Sequence, residues 1–185
     1  MSNAKFDEFY WEKHYADNST KWDVGYITPP IKEYIDQIKS KTLKILIPGS
    51  GNSYEAEYLF NGGFKNVTVL DIAKQPLKNI LKRIPIFPKE QLIQQDFFKH
   101  TVTYDLIIEQ TFFCALHPTL RKDYVNKMYD LLKPKGKLVG LLFNFELSTS
   151  GPPFGGDIKE YLQLFSTKFY IKKLEKCYNS IKPRL

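Results

Sequence analysis

The chain has no long apolar run. No stretch approaches the ~20 consecutive apolar residues that a membrane-spanning helix needs. The opening "MSNAKFDEFYWEKHY" also lacks the apolar segment of a secretory signal, and residues 1–4 carry no structural weight. Cysteine is nearly missing, with only Cys114 and Cys177 in 185 residues. Two thiols cannot make a disulfide framework, and Cys114 sits in the apolar "TFFCAL". Reduced cysteines in a cytoplasmic protein are therefore expected. Histidine is as scarce: His14, His100 and His117 are far apart, whereas metal ligands come in close Cys/His clusters. No metal site is expected. Dense basic runs are absent too. The net charge is +7 and the isoelectric point about 9.2, but no lysine or arginine run reaches five residues. The charge reads as a solvated basic surface, so neither nucleic acid nor a membrane is an expected partner.

What is present is an ordinary globular composition, 43% hydrophobic and 25% charged, over a length that one core can serve. A single domain over residues 1–185 is the expectation. Apolar runs bounded by turn residues read as buried strands: "LKILIP" (43–48), "NVTVLD" (66–71), "QLIQQ" (91–95), "YDLIIEQ" (104–110), "KLVGLLFN" (137–144) and "KFYIKKLEK" (168–176). Helical segments fall between them. "TPPIKEYIDQIK" opens on Thr28 as N-cap, with prolines in the first turn and Ile31, Tyr34, Ile35 and Ile38 at helical spacing. Asn52 and Glu55 form a candidate capping box for the next helix, which Gly62-Gly63 ends. "AKQPLKNILKRI", "TLRKDYVNKMYDLL" and "DIKEYLQLF" supply three more, with "KPKGK" as a turn before the fifth strand. Alternating strands and helices with apolar strand interiors predict an α/β fold, a mostly parallel central sheet with helices on both faces.

In such a sheet ligands bind beyond the carboxyl ends of the strands, above all at the first strand-to-helix turn. That turn is "PGSGNS", with Gly49 and Gly51. It is neither a full dinucleotide fingerprint nor a phosphate-cradling loop, because Tyr54 replaces the third glycine and no Lys-Ser/Thr follows. Two acids strengthen it. Asp71 ends the second strand, where a carboxylate accepts hydrogen bonds from both ribose hydroxyls. Asp96 follows the third strand, where it can meet an adenine amino group, with Phe97 against the ring. Glycines and acids at successive strand ends favour an adenosine-type cofactor over a set of helix caps. The first 27 residues fit no strand-helix unit and are rich in aromatics, among them Trp11, Tyr15 and Trp22. They either pack over a sheet edge or form a lid.

The pieces "WEKHY…KWD", "LIPGSG", "DLIIEQTFFCAL", "LLKPKGKL", "GPPF" and "PRL" resemble the thiopurine methyltransferase family, near its thiol and halide methyltransferases. The resemblance spans most of the chain, and "TFFCAL" with "GPPF" is its specific part. It implies a Rossmann-like class I methyltransferase fold, S-adenosyl-L-methionine as cofactor, and an N-terminal lid over residues 1–27. It also implies roles. Trp11 and Trp22 wall the cofactor, Gly49 and Gly51 pass beneath its methionine part, Asp71 holds the ribose, and Asp96 and Phe97 hold the adenine. Gln110 stands where relatives have a tyrosine bordering cofactor or substrate, and Tyr15 stands where they have a second lid tryptophan. Relatives continue past Pro-Arg into a final strand, so the last strand is expected to be missing here.

The acceptor implied is a small soft nucleophile: a thiol, a thiopurine-like compound, or a halide or thiocyanate. Such a nucleophile needs no base in the site. Gln110, Phe112, Phe113 and Phe154 are the substrate-pocket candidates, with "GPPF" as a rigid loop shaping the pocket. The Asn/Asp-Pro-Pro-Tyr/Phe motif of enzymes that methylate base amines is absent, since "EQTF" occupies that position. No residue is assigned as catalytic. Cys114 reads as core rather than nucleophile, His117 as a helix-end residue, and Glu109 either as a base for a neutral thiol or as a group facing the cofactor. The alternatives are a nucleic-acid or protein methyltransferase, which the charge suggests, and an inactive cofactor-binding module, which Gln110 and the short C-terminus suggest.

Overall fold

The computed structural model describes residues 6–148 and 150–184. Five strands form one sheet in the order β3-β2-β1-β4-β5: β1 (Ile45–Pro48), β2 (Val67–Asp71), β3 (Leu92–Gln94), β4 (Tyr104–Gln110) and β5 (Leu132–Leu141). Every neighbouring pair is parallel. The helices are α1 (Glu8–Ala16), α2 (Pro29–Asp36), α3 (Tyr54–Asn61), α4 (Lys74–Arg83), α5 (Arg121–Asp130) and α6 (Ile158–Phe165).

Side chains alternate across a strand, so each strand feeds two cores. Ile45 and Ile47 of β1, Val67 and Val69 of β2, and Leu106 and Ile108 of β4 pack with Ile31 and Ile35 of α2, Leu59 of α3 and Ile80 of α4. Leu46, Leu70 and Ile107 point the other way, onto Tyr124, Val125 and Met128 of α5 and Tyr161 of α6. Burial on both faces explains why these strands read as unbroken apolar runs. Each such side chain stabilises the fold by about 1.5–3 kcal/mol when fully buried.

The chain leaves β1 for β2 and β3 on one side, then crosses to β4 and β5 on the other. The reversal falls between β1 and β4. There the ladder is short: Ile45 and Leu46 pair with Leu106 and Ile107, while the β1–β2 ladder runs on to Pro48 and Leu70. The carboxyl ends of β1 and β4 are left to diverge, which opens the crevice that a doubly wound sheet offers a ligand.

Several expectations change. Residues 168–176 form no strand; Phe169 instead packs on Phe165 and Tyr129. β5 begins earlier than expected because "KPKGK" is a bulge within it: the register jumps from Leu132 opposite Tyr104 to Lys137 opposite Leu106. The candidate capping box does not form. Ser53 is the N-cap of α3, in a left-handed conformation with φ 46°, and the Asn52 amide bonds elsewhere. Thr28 does cap the start of α2, but through its backbone geometry, with its hydroxyl turned to Gln110. Leu185 lies outside the described residues, as do Met1 to Lys5. Among the described residues no strand follows β5, which stands last in the sheet order; Lys135 and Lys137 on it are exposed.

Candidate active site

One cavity of ≈ 1260 Å³ opens over the carboxyl ends of β1, β2 and β4. Its floor is the Gly49–Ser53 turn and Asp71. Its roof is the N-terminal segment, including Trp11, Tyr15 and Trp22.

The turn is pinned from below by Asp71. One carboxylate oxygen accepts from the Gly51 N–H at 2.9 Å and the other from the Ala73 N–H at 2.8 Å. The group is only 8% exposed, and burial pushes its pKa up to about 6 despite these two bonds. Each oxygen keeps a second lone pair, so the carboxylate can still receive hydroxyls. Asp96 accepts from the Phe98 N–H at 3.0 Å, which fixes the short turn that presents Phe97. Both line the cavity.

Gly49 has φ +54°, and a Cβ there would lie 2.0 Å from the Phe112 ring. The glycine thus makes room for an aromatic side chain of this same protein, not only for a ligand. Phe112 reaches that position through a sharp turn after β4 in which Thr111 takes φ 65°. The turn is held by Glu109, whose Oε1 accepts from the backbone N–H groups of Phe112 at 2.8 Å and Phe113 at 2.9 Å. Glu109 is absent from the cavity wall, so it acts as a clamp rather than as a base or a cofactor contact.

Burial sets the Glu109 pKa at about 7, against the pull of the two N–H groups. An unfolded glutamate titrates near about 4.3, so the folded protein holds this proton more tightly. The resulting stability is complete below the unfolded value and is lost as pH rises through about 7. Glu109→Gln keeps an acceptor but removes the titration. Urea unfolding should show the wild type losing on the order of 1–3 kcal/mol relative to the variant between about pH 4 and about pH 8. Parallel pH profiles would assign the titration to another group.

The roof is an aromatic cluster. Trp11 and Trp22 meet edge to face at 5.4 Å, and Trp22 meets Tyr15 at 5.9 Å. Trp22 also bonds to the Tyr15 hydroxyl, whose pKa burial and the Asp71 charge drive upward. Among the ties that fasten the segment, two reach the helices beneath it. Glu12 accepts from the Lys74 and Gln75 N–H groups at the start of α4, where an anion also meets the positive end of the helix dipole. Asp23 accepts from the Asn52 amide, and Asn79 in turn donates to Asn52 at 2.9 Å.

Of the substrate-pocket candidates, Gln110 and Phe112 line the cavity, as do Pro152 and Pro153 of "GPPF". Phe113 and Phe154 do not. Phe113 is packed among Tyr124, Tyr161 and Phe165 beneath the Arg121 guanidinium, and Phe154 is turned onto Phe6 and His117. Phe112 fills the gap above Gly49, and the Phe154 N–H is tied to the Cys114 carbonyl at 2.7 Å. Cys114 reaches the wall, yet its thiol donates to the Thr111 carbonyl and burial lifts its pKa to about 12, so it stays protonated. His117 caps a short turn through Thr119. Glu55, Ser53 and Arg184 also line the cavity, a placement that no local sequence signal gives. Among the described residues, no group of three or more His, Cys, Asp or Glu could hold a metal, and no helix is long and apolar enough to cross a membrane.

The residues present fit an adenosine-type cofactor. The Ser53 hydroxyl is buried on the wall with no hydrogen-bond partner among the described residues, and a polar ligand group would satisfy it. Asp71, Asp96 and the aromatic roof supply acceptors and ring faces in one enclosure.

The family model for Thiopurine S-methyltransferase (TPMT) matches residues 6–184. The chain is 31% identical over 156 residues to a probable thiol methyltransferase 2 of Arabidopsis thaliana, covering 82% of this chain and 69% of that protein. It is 30% identical over 160 residues to thiocyanate methyltransferase 1 of the same plant, covering 84% and 70%. In fold it is similar to the Burkholderia thailandensis 1,6-didemethyltoxoflavin-N1-methyltransferase, solved with its substrate and S-adenosylhomocysteine. The TM-score is 0.69 at 16% identity, over 89% of this chain and 76% of that one.

Proposed function

The chain belongs to the thiopurine S-methyltransferase family and is an S-adenosylmethionine-dependent methyltransferase, and from that premise we propose that its acceptor is a small soft nucleophile. The acceptor class is a thiol, a thiopurine-like heterocycle, or a thiocyanate or halide anion. The observation that carries this reading is the enclosure itself: an aromatic roof closed over a glycine turn that a buried carboxylate pins in place.

When bound, the cofactor supplies an electrophilic methyl group on a sulfonium. The chain's own residues then bind, align and exclude water, which are the chief demands of an in-line displacement. Asp71 accepts the ribose hydroxyls while holding the Gly51 backbone. Asp96 and Phe97 take the adenine, and Ser53 offers a hydroxyl at the start of α3. Trp11 and Trp22 present faces that attract a cation, and the described part of the N-terminal segment, residues 6–27, acts as a lid on one domain. Phe112 and the two prolines of "GPPF" bound the acceptor side with apolar, polarizable surface. A thiolate or halide arrives already charged, so the wall needs no base.

Purified protein with S-adenosylmethionine should turn over at least one member of a panel of alkyl thiols, thiocyanate, iodide and thiopurines, read as S-adenosylhomocysteine released. Binding of the cofactor with no turnover on any member would remove this acceptor class.

A further inference from the structure

Four segments far apart in sequence meet in one polar knot on the cavity wall. Thr28 precedes α2, Glu55 lies in the first turn of α3, Gln110 ends β4, and Arg184 belongs to the short turn Lys182–Arg184. All four line the cavity. The neighbours fix how the Gln110 amide is turned. Its oxygen accepts from Arg184 Nη1 at 2.8 Å and from the Thr28 hydroxyl at 2.9 Å, and its nitrogen donates to Glu55 Oε1 at 3.1 Å. The other orientation would set oxygen against the Glu55 carboxylate and N–H against the guanidinium. Arg184 Nη2 continues outward and donates to the main-chain carbonyl of Trp22 at 2.6 Å. Ser180 Oγ donates to the Arg184 carbonyl at 3.0 Å, which orders the turn.

Burial drives the Glu55 carboxyl upward while the Arg184 charge pulls it back, and Arg184 is affected in the mirror sense. The two ions support each other across a neutral amide. This accounts for glutamine at position 110. An amide has two donors and an acceptor with two lone pairs, enough for Glu55, Thr28 and Arg184 together, whereas a phenol has one proton.

We propose that Arg184 is a latch for the aromatic lid: Gln110 and Glu55 position it, and it grips the Trp22 backbone so that Trp22 stays over the cavity. Arg184 is a positioning residue in this role, and its effect on cofactor binding rests on the function proposed above. Glu12 and Asp23 fasten the lid to α4 and α3, while Arg184 alone among these three ties comes from the C-terminal segment.

Both tryptophans of the chain, Trp11 and Trp22, lie in the lid, so intrinsic fluorescence reports on it selectively. The test is acrylamide quenching of the ligand-free protein, then titration with S-adenosylhomocysteine, for wild type, Arg184→Gln, Arg184→Lys, Gln110→Leu and the Arg184→Gln/Gln110→Leu double variant. Circular dichroism checks the fold, and Gln110→Leu carries the test if Arg184→Gln does not fold. Arg184→Gln should raise the quenching constant and weaken S-adenosylhomocysteine by about tenfold, because the closed state is less populated. Arg184→Lys should recover part of the shielding, since an ammonium can still donate to the Trp22 carbonyl. The double variant should add little to either single one, as expected of residues acting through one another. Quenching in Arg184→Gln equal to wild type would overturn the latch, and additive effects would overturn the positioning role of Gln110. If S-adenosylhomocysteine leaves wild-type quenching unchanged, the cofactor reading fails, while the ligand-free comparison still decides the latch.

Discussion

Asp71→Ala is expected to weaken S-adenosylhomocysteine binding by about a hundredfold or more, because it removes interactions on two levels. The carboxylate is the acceptor proposed for the ribose hydroxyls, and a hydrogen bond to a charged group contributes about 1.5–3 kcal/mol. It also holds the glycine turn, through Gly51 at 2.9 Å and the start of the next helix through Ala73 at 2.8 Å. Alanine leaves both N–H groups without that partner. Asp71→Asn separates the two levels. Its single amide oxygen can serve one N–H but not both, so the turn loosens while the volume is kept. Calorimetry with both variants reads the result. Affinity unchanged in Asp71→Ala would remove Asp71 from the ribose site.

Gly49→Ala should lower global stability by about 2–5 kcal/mol, the sum of a left-handed backbone strain and an overpacking cost. The added Cβ would lie 2.0 Å from Cδ2 of Phe112, and the neighbour cannot simply swing aside. Phe112 is packed edge to face on Phe97 at 5.1 Å, and its N–H is clamped by Glu109. A Gly49→Ala/Phe112→Ala double variant removes the clash but keeps the strain. Thermal melts should therefore place it above Gly49→Ala, relative to the matching Phe112→Ala background. If the Gly49→Ala penalty is the same in both backgrounds, contact with Phe112 is not why position 49 is glycine.

How far the sequence disclosed this arrangement depends on the range of the interactions. Strands β1, β2 and β4 follow from apolar runs buried on both faces, which is a local signal, whereas β3 is three residues long and only partly buried. Residues 168–176 show a similar pattern and form no strand, because a strand exists only by pairing and Phe169 found Phe165 and Tyr129 instead. The capping box at Asn52 and Glu55 was locally plausible. It lost to distant partners, with Asn52 bonded to Asp23 and Glu55 to Gln110. The strand-end acids Asp71 and Asp96 line the cavity, at the strand ends where the fold class places ligands. Phe113 and Phe154 lie off the cavity wall, since adjacency in sequence does not say which ring of a pair turns inward. Arg184 carries no local sign of the role proposed for it: the partners of its guanidinium are Trp22, Glu55 and Gln110, all far along the chain.

Among the described residues β5 pairs only with β4, and its outer edge gives two of the basic residues a use unrelated to any polyanion. An unpaired parallel strand is a template onto which another chain can add, the usual beginning of ordered aggregation. Lys135 and Lys137 stand exposed along that edge, beside a bulge that breaks its regularity. Two such edges repel one another before their backbones can pair, and the bulge spoils the match if they do meet. The lysines thereby favour colloidal stability and cost the methyl-transfer site nothing, because the cavity opens over β1, β2 and β4 instead.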